Sequence, residues 1–168
     1  MKTDVVIIGS GPAGLMLGHL LRQAGIDAVI DDRQSREHVE SRIRAGVLVE
    51  TTSEILTRLG IDARMNKEGL PHGGFNLADG GRLIRIVVEK LTGKPVMVYG
   101  QTEVTRDLIE AAAGRGLDIL WQVADVTLHD VDTESPYVTF ERDGKSERID
   151  ARFIAGCDGF HGCLLYTS

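Results

Sequence analysis

The N-terminal segment constrains the fold more than any other part of the chain. An apolar run leads directly into Gly9-Ser-Gly11-Pro-Ala-Gly14, and a helical pattern follows at once. This order of strand, glycine turn and helix is typical of dinucleotide-binding folds. A second apolar run ends in Asp31 and Asp32, where such folds place an acid that binds a ribose. The glycines alone would also suit a tight loop in an unrelated domain, but the second strand and the acids favour dinucleotide binding.

Each glycine has a separate role in this interpretation. Gly9 allows the tight turn, Gly11 lets the backbone approach a pyrophosphate, and Gly14 lets the helix pack closely on the strand. The helix that follows points free amide groups and the positive end of its dipole at the phosphates. One carboxylate at the end of the second strand accepts hydrogen bonds from the adenosine ribose, and we prefer Asp32 to Asp31 for this role.

Composition excludes several other classes of protein. The chain has 168 residues, of which 42% are hydrophobic and 20 are glycine, which suits one α/β domain with many turns. A formal net charge of -6 provides no basic surface for nucleic acid, and no apolar stretch approaches the ~20 residues that span a membrane. Cys157 and Cys163 form neither a disulfide framework nor a metal-ligand set. We therefore expect a cytoplasmic protein without a metal site.

Hydrophobic periodicity predicts the order of the elements. Helices are predicted over residues 13–24, 52–59 and 101–113. Thr102 is the expected N-cap of the third helix. Between residues 69 and 99, turn signals alternate with short β-type runs such as 82–88 and 96–99, which predicts a small sheet inserted in the nucleotide-binding fold. Further strands are predicted at residues 118–121, 124–129, 137–142 and 148–155.

Three later segments carry a more specific likeness than the glycine turn alone. They read Arg42-Ile-Arg44-Ala-Gly-Val-Leu48, Val98-Tyr-Gly-Gln101-Thr-Glu-Val-Thr-Arg-Asp107 and Gly156-Cys-Asp158-Gly-Phe-His-Gly162. Together with the turn, they resemble the FAD-dependent aromatic hydroxylases almost continuously over residues 1–162. The resemblance implies an α/β, Rossmann-like FAD-binding fold with a small inserted β-sheet. It also implies FAD as cofactor, NADPH as co-substrate, and an aromatic small molecule and O2 as the other reactants.

The resemblance assigns residues to the FAD. The glycine turn and Asp32 hold the pyrophosphate and the adenosine ribose, although the family usually has glutamate at the position of Asp32. Arg44 and Gln101 resemble residues near the FAD phosphates and ribityl chain, where a guanidinium supplies charge-assisted donors. Arg42 serves both nucleotides together with Arg44, and Asp158 faces the pyrophosphate region.

The nicotinamide nucleotide is assigned to a neighbouring surface. Phe160 and His161 resemble the residues that the incoming nucleotide contacts. Four cationic or titratable side chains of a charged segment could pair with a 2'-phosphate and favour NADPH over NADH: Arg33, Arg36, His38 and Arg42. Glu37 and Glu40 weaken that field, so a solvated helix with compensating charges remains an alternative interpretation of the segment.

His72 is the one predicted catalytic residue. It resembles a family histidine that relays a proton from the substrate phenol to solvent. The alternative is an ordinary histidine in a Pro-His-Gly-Gly turn. Imidazole titrates near neutral pH, and this property suits both exposure and proton transfer.

The likeness breaks after Gly162. The family continues with an aliphatic residue, a serine and an arginine, whereas this chain reads Cys163-Leu-Leu-Tyr-Thr-Ser168. We therefore expect a partial FAD-binding domain over residues 1–162, truncated before the substrate domain is complete, and a non-native tail over residues 163–168. The isolated chain should be inactive and bind FAD weakly or undetectably, since part of the cofactor contacts would be missing. The resemblance implies homodimers for the intact relatives.

Two alternatives belong to other functional classes. The same Rossmann start would serve a non-catalytic module that binds FAD or NAD. It would also serve another FAD oxidoreductase with a different substrate pocket. The segments around Arg44 and Asp158 favour the hydroxylase.

Overall fold

The structure is a computed structural model that describes residues 1–160 and 162. His161 and residues 163–168 lie outside the described residues, and so do the nicotinamide contact expected of His161 and the non-native tail. The chain divides into two compact units. The first contains Met1–Arg42 and the residues from Leu108 onward, and the second contains Ile43–Asp107.

The described elements alternate between helices and strands along most of the chain. In chain order they are β1 (Val5–Ile8), α1 (Pro12–Gln23), β2 (Ala28–Asp32), α2 (Arg36–Ser41), β3 (Val47–Leu48), α3 (Glu50–Leu59), α4 (Ala63–Glu68), β4 (Leu70–His72), β5 (Phe75–Asp79), β6 (Arg82–Ile86), α5 (Val88–Thr92), β7 (Val96–Val98), α6 (Gln101–Gly114), β8 (Asp118–Trp121), β9 (Ala124–His129), β10 (Tyr137–Arg142), β11 (Lys145–Asp150) and β12 (Phe153–Gly156). None of the helices in the described part of the chain is long and apolar enough to cross a membrane.

A parallel four-stranded sheet forms the centre of the first unit. Its strand order is β12-β1-β2-β8, and β1 is buried along its whole length. Strands covered on both faces read as continuous apolar runs, which is why β1 shows no alternation in sequence. The carboxyl ends of β1 and β2 meet at one edge, where the glycine turn begins. The predicted Rossmann-like α/β fold is confirmed.

Helix α1 packs on this sheet through small and apolar residues. Leu15 is fully buried, and a Cβ at Gly18 would stand 3.0 Å from the side chain of Ile30. The buried His19 donates its Nε2–H to the carbonyl oxygen of Leu108 at 2.8 Å. Burial lowers the pKa of His19, so the ring stays neutral and acts as a core hydrogen-bond donor.

An antiparallel sheet of order β11-β10-β9 covers the other part of this core. Val138, Phe140 and Ile149 pack with residues of β1 and β2 in one apolar cluster. The prediction of a single strand over residues 148–155 is wrong. The strand breaks after β11 because the peptide N–H groups of Arg152 and Phe153 both turn to the carbonyl oxygen of Asp4, 3.0 Å away, and the chain thereby enters the parallel sheet.

The second unit contains the predicted inserted sheet, in two pieces. Strands β3, β7 and β4 form a three-stranded antiparallel sheet in the order β3-β7-β4. Strands β5 and β6 form a separate hairpin around Gly80 and Gly81. The predicted run over residues 82–88 ends at Ile86, and Val88 begins helix α5 instead. Short apolar runs do not show from periodicity alone where a strand gives way to a helical turn.

Helix α6 begins two residues earlier than an N-cap at Thr102 would place it. The carbonyl oxygen of Gly100 accepts the N–H groups of Glu103 and Val104 at 3.0 and 3.1 Å, and the helix starts at Gln101. Thr102 therefore lies inside the first turn, and its prediction as the N-cap is wrong. A glycine tolerates the cap position with only a small loss of stability, so no side-chain cap is needed there.

Candidate dinucleotide site

Two glycines of the turn are required by its shape. Gly9 has a φ of +107°, and a Cβ there would stand 2.5 Å from the carbonyl oxygen of Cys157. A Cβ at Gly14 would overlap the carbonyl oxygen of Gly9. The roles predicted for these residues therefore match the structure: Gly9 makes the reversal, and Gly14 permits the close approach of α1.

Gly11 differs from the other two because it lines open space. No described atom lies within 4 Å of the point where its Cβ would stand. Gly11 is also the N-cap of α1, which has neither a side-chain cap nor an acidic residue in its first turn among the described residues. The first amides of a helix attract anions when nothing else satisfies them. The turn therefore fits a pyrophosphate, the group that the resemblance predicts there.

The carboxylate of Asp32 is fixed beside this turn. Its Oδ2 accepts hydrogen bonds from the amide of Ser10 at 2.8 Å and from the Ser10 hydroxyl at 2.7 Å. Its Oδ1 accepts the amide of Gln34 at 2.8 Å. An ionised carboxylate offers about four acceptor positions, so one remains for a ribose hydroxyl. Ser10 was not predicted as a site residue, although its position between two glycines of the motif could have indicated this role.

Asp31 occupies a different environment although it is the next residue. Only 1% of its surface is exposed, and its Oδ2 has no hydrogen-bond partner among the described residues. Its backbone carbonyl accepts the amide of Gly9 at 2.8 Å. Burial, and then the negative charges of Asp32 and Asp158, raise the pKa of Asp31 to about 7. An enclosed carboxyl cannot reach a ribose, so the geometry supports the choice of Asp32.

The Asp-Gly motif lies on the other side of the turn. The amide of Cys157 donates to the carbonyl oxygen of Ile8 at 2.7 Å, which continues the pairing of β12 with β1. The Cα of Asp158 is 2.8 Å from the point where a Cβ of Gly9 would stand. The structure thus brings the backbone of Asp158 to the glycine turn, and its role toward the pyrophosphate stays a prediction. Burial raises the pKa of the Cys157 thiol, which stays protonated and is no nucleophile.

The surface predicted for the nicotinamide nucleotide is partly described. The side chain of Phe160 is 80% exposed. Helix α2 is capped by the Ser35 hydroxyl, which accepts the amide of His38 at 3.3 Å. Arg36 pairs with Glu40 at 2.6 Å along the same helix. Glu40 therefore compensates the charge of Arg36, and a solvated helix is a better interpretation of this residue than pairing with a 2'-phosphate. Three other candidates are exposed: Arg33, His38 and Arg42.

Two predicted FAD contacts belong to the second unit. Arg44 is exposed in the segment before β3. The amide of Gln101 donates to the carbonyl oxygen of Ala45 at 3.3 Å, and the amide of Tyr99 donates to Gly46 at 2.8 Å. These two hydrogen bonds bring the segment of Arg44 beside the turn of Gln101, and the FAD contacts of both residues stay predictions.

A polar network supports the turn of Gln101. The Tyr99 hydroxyl donates to Oδ2 of Asp107 at 2.6 Å, and Nε of Arg64 lies 3.1 Å from Oδ1 of the same carboxylate. Arg64 also pairs with Glu103. Burial and the bond to Asp107 raise the pKa of Tyr99, so the phenol remains a donor. The polar tie of Tyr99 to α6 is not visible in sequence.

The variant Tyr99→Phe should lower the free energy of unfolding by about 1–2 kcal/mol, since it removes the charge-assisted hydrogen bond from the Tyr99 hydroxyl to Asp107 and leaves Arg64 as the remaining partner. Urea denaturation followed by circular dichroism measures the loss. Tyr137→Phe is the matched control, because the Tyr137 ring contacts the Arg148 guanidinium at 3.6 Å and its hydroxyl has no hydrogen bond in the described part of the chain. Equal effects of the two substitutions would contradict the network.

His72 stands at the end of β4, where it pairs in register with Val96. Its side chain is exposed, and the glycines of the predicted turn, Gly73 and Gly74, follow it. This placement gives the imidazole access to solvent. It is compatible with a proton relay and equally with an ordinary surface histidine, so the catalytic role stays a prediction.

Comparison with known proteins decides the family. A family model described as the FAD binding domain matches residues 2–165. The chain belongs to this family. A relative from Acinetobacter baylyi, p-hydroxybenzoate hydroxylase, is 48% identical over 96% of the chain, and rifampicin monooxygenase from Rhodococcus hoagii is 31% identical over 94%. The resemblance to the FAD-dependent aromatic hydroxylases, and FAD as the cofactor, are confirmed.

Solved structures show the same fold. The p-nitrophenol 4-monooxygenase of Pseudomonas putida superimposes with a TM-score of 0.80 over 97% of the chain at 21% identity. The chain covers 42% of that structure and 40% of the Acinetobacter baylyi hydroxylase. It therefore spans well under half the length of the relatives it matches.

The variant Gly11→Asp should abolish FAD binding without unfolding the chain. The new side chain has room at its Cβ, because no described atom lies within 4 Å of that position, but its carboxylate brings a negative charge to the place where the pyrophosphate would bind. Gly114→Asp is the matched control, because Gly114 also lines open space and lies at the end of α6. Flavin fluorescence measures binding, and thermal melting checks the fold. Unchanged FAD affinity in Gly11→Asp would contradict the pyrophosphate assignment.

Proposed function

We propose that this chain is the FAD-binding part of an NADPH-dependent monooxygenase that hydroxylates 4-hydroxybenzoate to 3,4-dihydroxybenzoate. The observation that carries the proposal is the 48% identity to p-hydroxybenzoate hydroxylase, against 31% to rifampicin monooxygenase over a similar part of the chain. The matched region covers 96% of the chain and so includes the segments of Arg44, Gln101 and Asp158, whose residue types suit a bound flavin nucleotide.

FAD supplies the redox chemistry between NADPH, O2 and the aromatic ring when it is bound. The residues of this chain bind and orient it. The N-terminus of α1 offsets the charge of the pyrophosphate, and Asp32 accepts from the adenosine ribose. In the second unit, Arg44 and Gln101 take the phosphates and the ribityl chain. Asp158 orients the pyrophosphate from beyond β12.

The proposal includes NADPH as the reductant. Arg33, His38 and Arg42 are exposed on the charged segment, and cationic side chains there suit a 2'-phosphate. Phe160 offers an exposed ring for the nicotinamide nucleotide. Arg36 contributes less, because Glu40 compensates its charge.

His72 relays the phenolic proton to water in this proposal. The side chain is exposed at the end of β4, so it exchanges protons with solvent directly. An ionised phenol is a better nucleophile at the ring carbon beside it, so removal of this proton accelerates hydroxylation.

The 168-residue chain alone should not hydroxylate 4-hydroxybenzoate, since it covers 40% of the relative that does so by name. A chimera tests the function: residues 1–162 replace the matching part of the Acinetobacter baylyi enzyme. We expect the chimera to form 3,4-dihydroxybenzoate with NADPH and to show at least about tenfold lower kcat/KM with NADH. A folded, FAD-loaded chimera that does not hydroxylate 4-hydroxybenzoate would contradict the proposal.

A second candidate is hydroxylation of another aromatic compound. Relatives with 27–31% identity over most of the chain include para-nitrophenol 4-monooxygenase and rifampicin monooxygenase. These relatives are named for different compounds, which supports a wider range of substrates for proteins with this FAD-binding domain. Product analysis of the chimera with several phenols would separate the two candidates.

A further inference from the structure

Three aspartates lie at the glycine turn of the first unit. Asp32 is tied to Ser10, the backbone of Asp158 approaches Gly9, and Asp31 precedes Asp32 in β2. Asp31 is the member that the FAD assignment leaves without a role. Its side chain is 99% enclosed, with one oxygen unpartnered among the described residues.

The neighbours of Asp31 do not compensate a negative charge. In register it lies between Ile8 of β1 and Leu120 of β8, which are both apolar. The charged groups that act on it are Asp32 on its own strand and Asp158 beyond β12, and both are acidic. A buried carboxyl in such surroundings is held near the balance between its neutral and ionised forms at neutral pH.

Asp31 is also linked directly to the phosphate turn. Its carbonyl oxygen accepts the amide of Gly9 at 2.8 Å, and the next residue, Asp32, holds Ser10. A pyrophosphate bound at the N-terminus of α1 brings two negative charges to this turn. Coulombic repulsion across a poorly solvated interior then favours the neutral form of Asp31.

We propose that FAD binds this chain together with a proton, which Asp31 takes up. The inference rests on FAD binding at the glycine turn. Asp31 is not a ligand of the cofactor in this account. It is a positioning residue whose neutral form leaves the turn free of a third negative charge, so cofactor affinity depends on pH.

The coupling of FAD binding to protonation of Asp31 fixes the direction in which FAD affinity changes with pH. Below neutral pH, Asp31 is already protonated and FAD binds without proton uptake. Above neutral pH, Asp31 has lost its proton and must take one up when FAD binds. The dissociation constant of FAD therefore rises with pH. If bound FAD raises the pKa of Asp31 by about one unit, the affinity for FAD is about tenfold weaker at about pH 8.5 than at about pH 6.

The test is FAD titration of the 168-residue chain by flavin fluorescence at several pH values between about 6 and 8.5. Wild type should lose about tenfold in affinity across this range. Asp31→Asn, a neutral side chain of the same shape, should vary less than about twofold. Asp118→Asn is the matched control, an exposed aspartate at the start of β8, and it should follow the wild type.

Proton uptake gives a second readout that needs no variant. A weakly buffered solution with a pH indicator should show uptake of about half a proton per bound FAD at about pH 7.5, and none with Asp31→Asn. Saturable FAD binding with no pH dependence and no uptake would overturn the coupling and leave the flavin site intact. An equal dependence of FAD affinity on pH in Asp31→Asn would show that another group takes up the proton, and would also overturn the coupling to Asp31. Absence of FAD binding by the folded chain at every pH would overturn the coupling in this chain, and absence of FAD binding by the folded chimera as well would overturn the flavin site.

Discussion

The variant Gly14→Ala is expected to lower the free energy of unfolding by about 3 kcal/mol. The added methyl group overlaps the backbone carbonyl oxygen of Gly9 and lies 3.2 Å from the Cβ of Cys157. A backbone atom cannot rotate away as a flexible side chain can, so α1 must move off the sheet or the turn must open. Either movement disrupts the buried strand β1, and FAD binding should be lost with it.

Gly11→Ala is the matched control for this prediction. Gly11 belongs to the same turn and also lacks a Cβ, but it lines open space. Its substitution should change the free energy of unfolding by less than about 1 kcal/mol while weakening FAD binding. Urea denaturation and flavin titration of both variants separate the two roles. Equal stability of Gly14→Ala and Gly11→Ala would contradict the close packing of α1 on the turn.

The second large effect concerns Asp31 and pH. Its pKa is raised to about 7 in the folded chain by burial, against an ordinary value of 3.8. Between these values the folded state keeps a proton that the unfolded state has lost, so stability falls as pH rises from about 4 to about 7 and then levels off. About three pKa units correspond to a loss on the order of 4 kcal/mol. Asp31→Asn removes this loss because its amide does not ionise.

Urea denaturation of the two proteins at several pH values measures the effect. The stability of Asp31→Asn relative to wild type should increase by about 3–4 kcal/mol between about pH 4 and pH 8. The change with pH is the informative quantity, because the buried amide of the variant has its own hydrogen-bonding cost at every pH. Asp118→Asn should show no such change. Parallel stability curves for wild type and Asp31→Asn would contradict a buried, neutral Asp31.

The sequence predicts the glycine turn and its flanking elements well because the constraints on them are local. The order of strand, glycine turn, helix and acid depends on backbone geometry within a few residues, and Gly9, Gly14 and Asp32 lie where the motif indicates. The antiparallel strands β9 and β10 match their predicted bounds because alternating runs between polar turns mark them clearly.

The remaining features depend on contacts between distant residues. The end of β11 is set by the carbonyl oxygen of Asp4, and the hydrogen bonds of Ser10 and Tyr99 require partners that periodicity does not reveal. Asp31 reads in sequence as a second acid at a strand end, and only its enclosure distinguishes it from Asp32. The nicotinamide role of Phe160 and His161, the catalytic role of His72 and the non-native tail stay predictions.

The central claim is that this chain holds an FAD site at its glycine turn. The most direct measurement is FAD titration of the purified chain at about pH 6, followed by flavin fluorescence, with NADPH and NAD as competitors and Gly11→Asp and Gly114→Asp as paired variants. The account predicts weak, saturable FAD binding that Gly11→Asp loses and Gly114→Asp keeps. A folded chain that does not bind FAD but binds NAD saturably would contradict it.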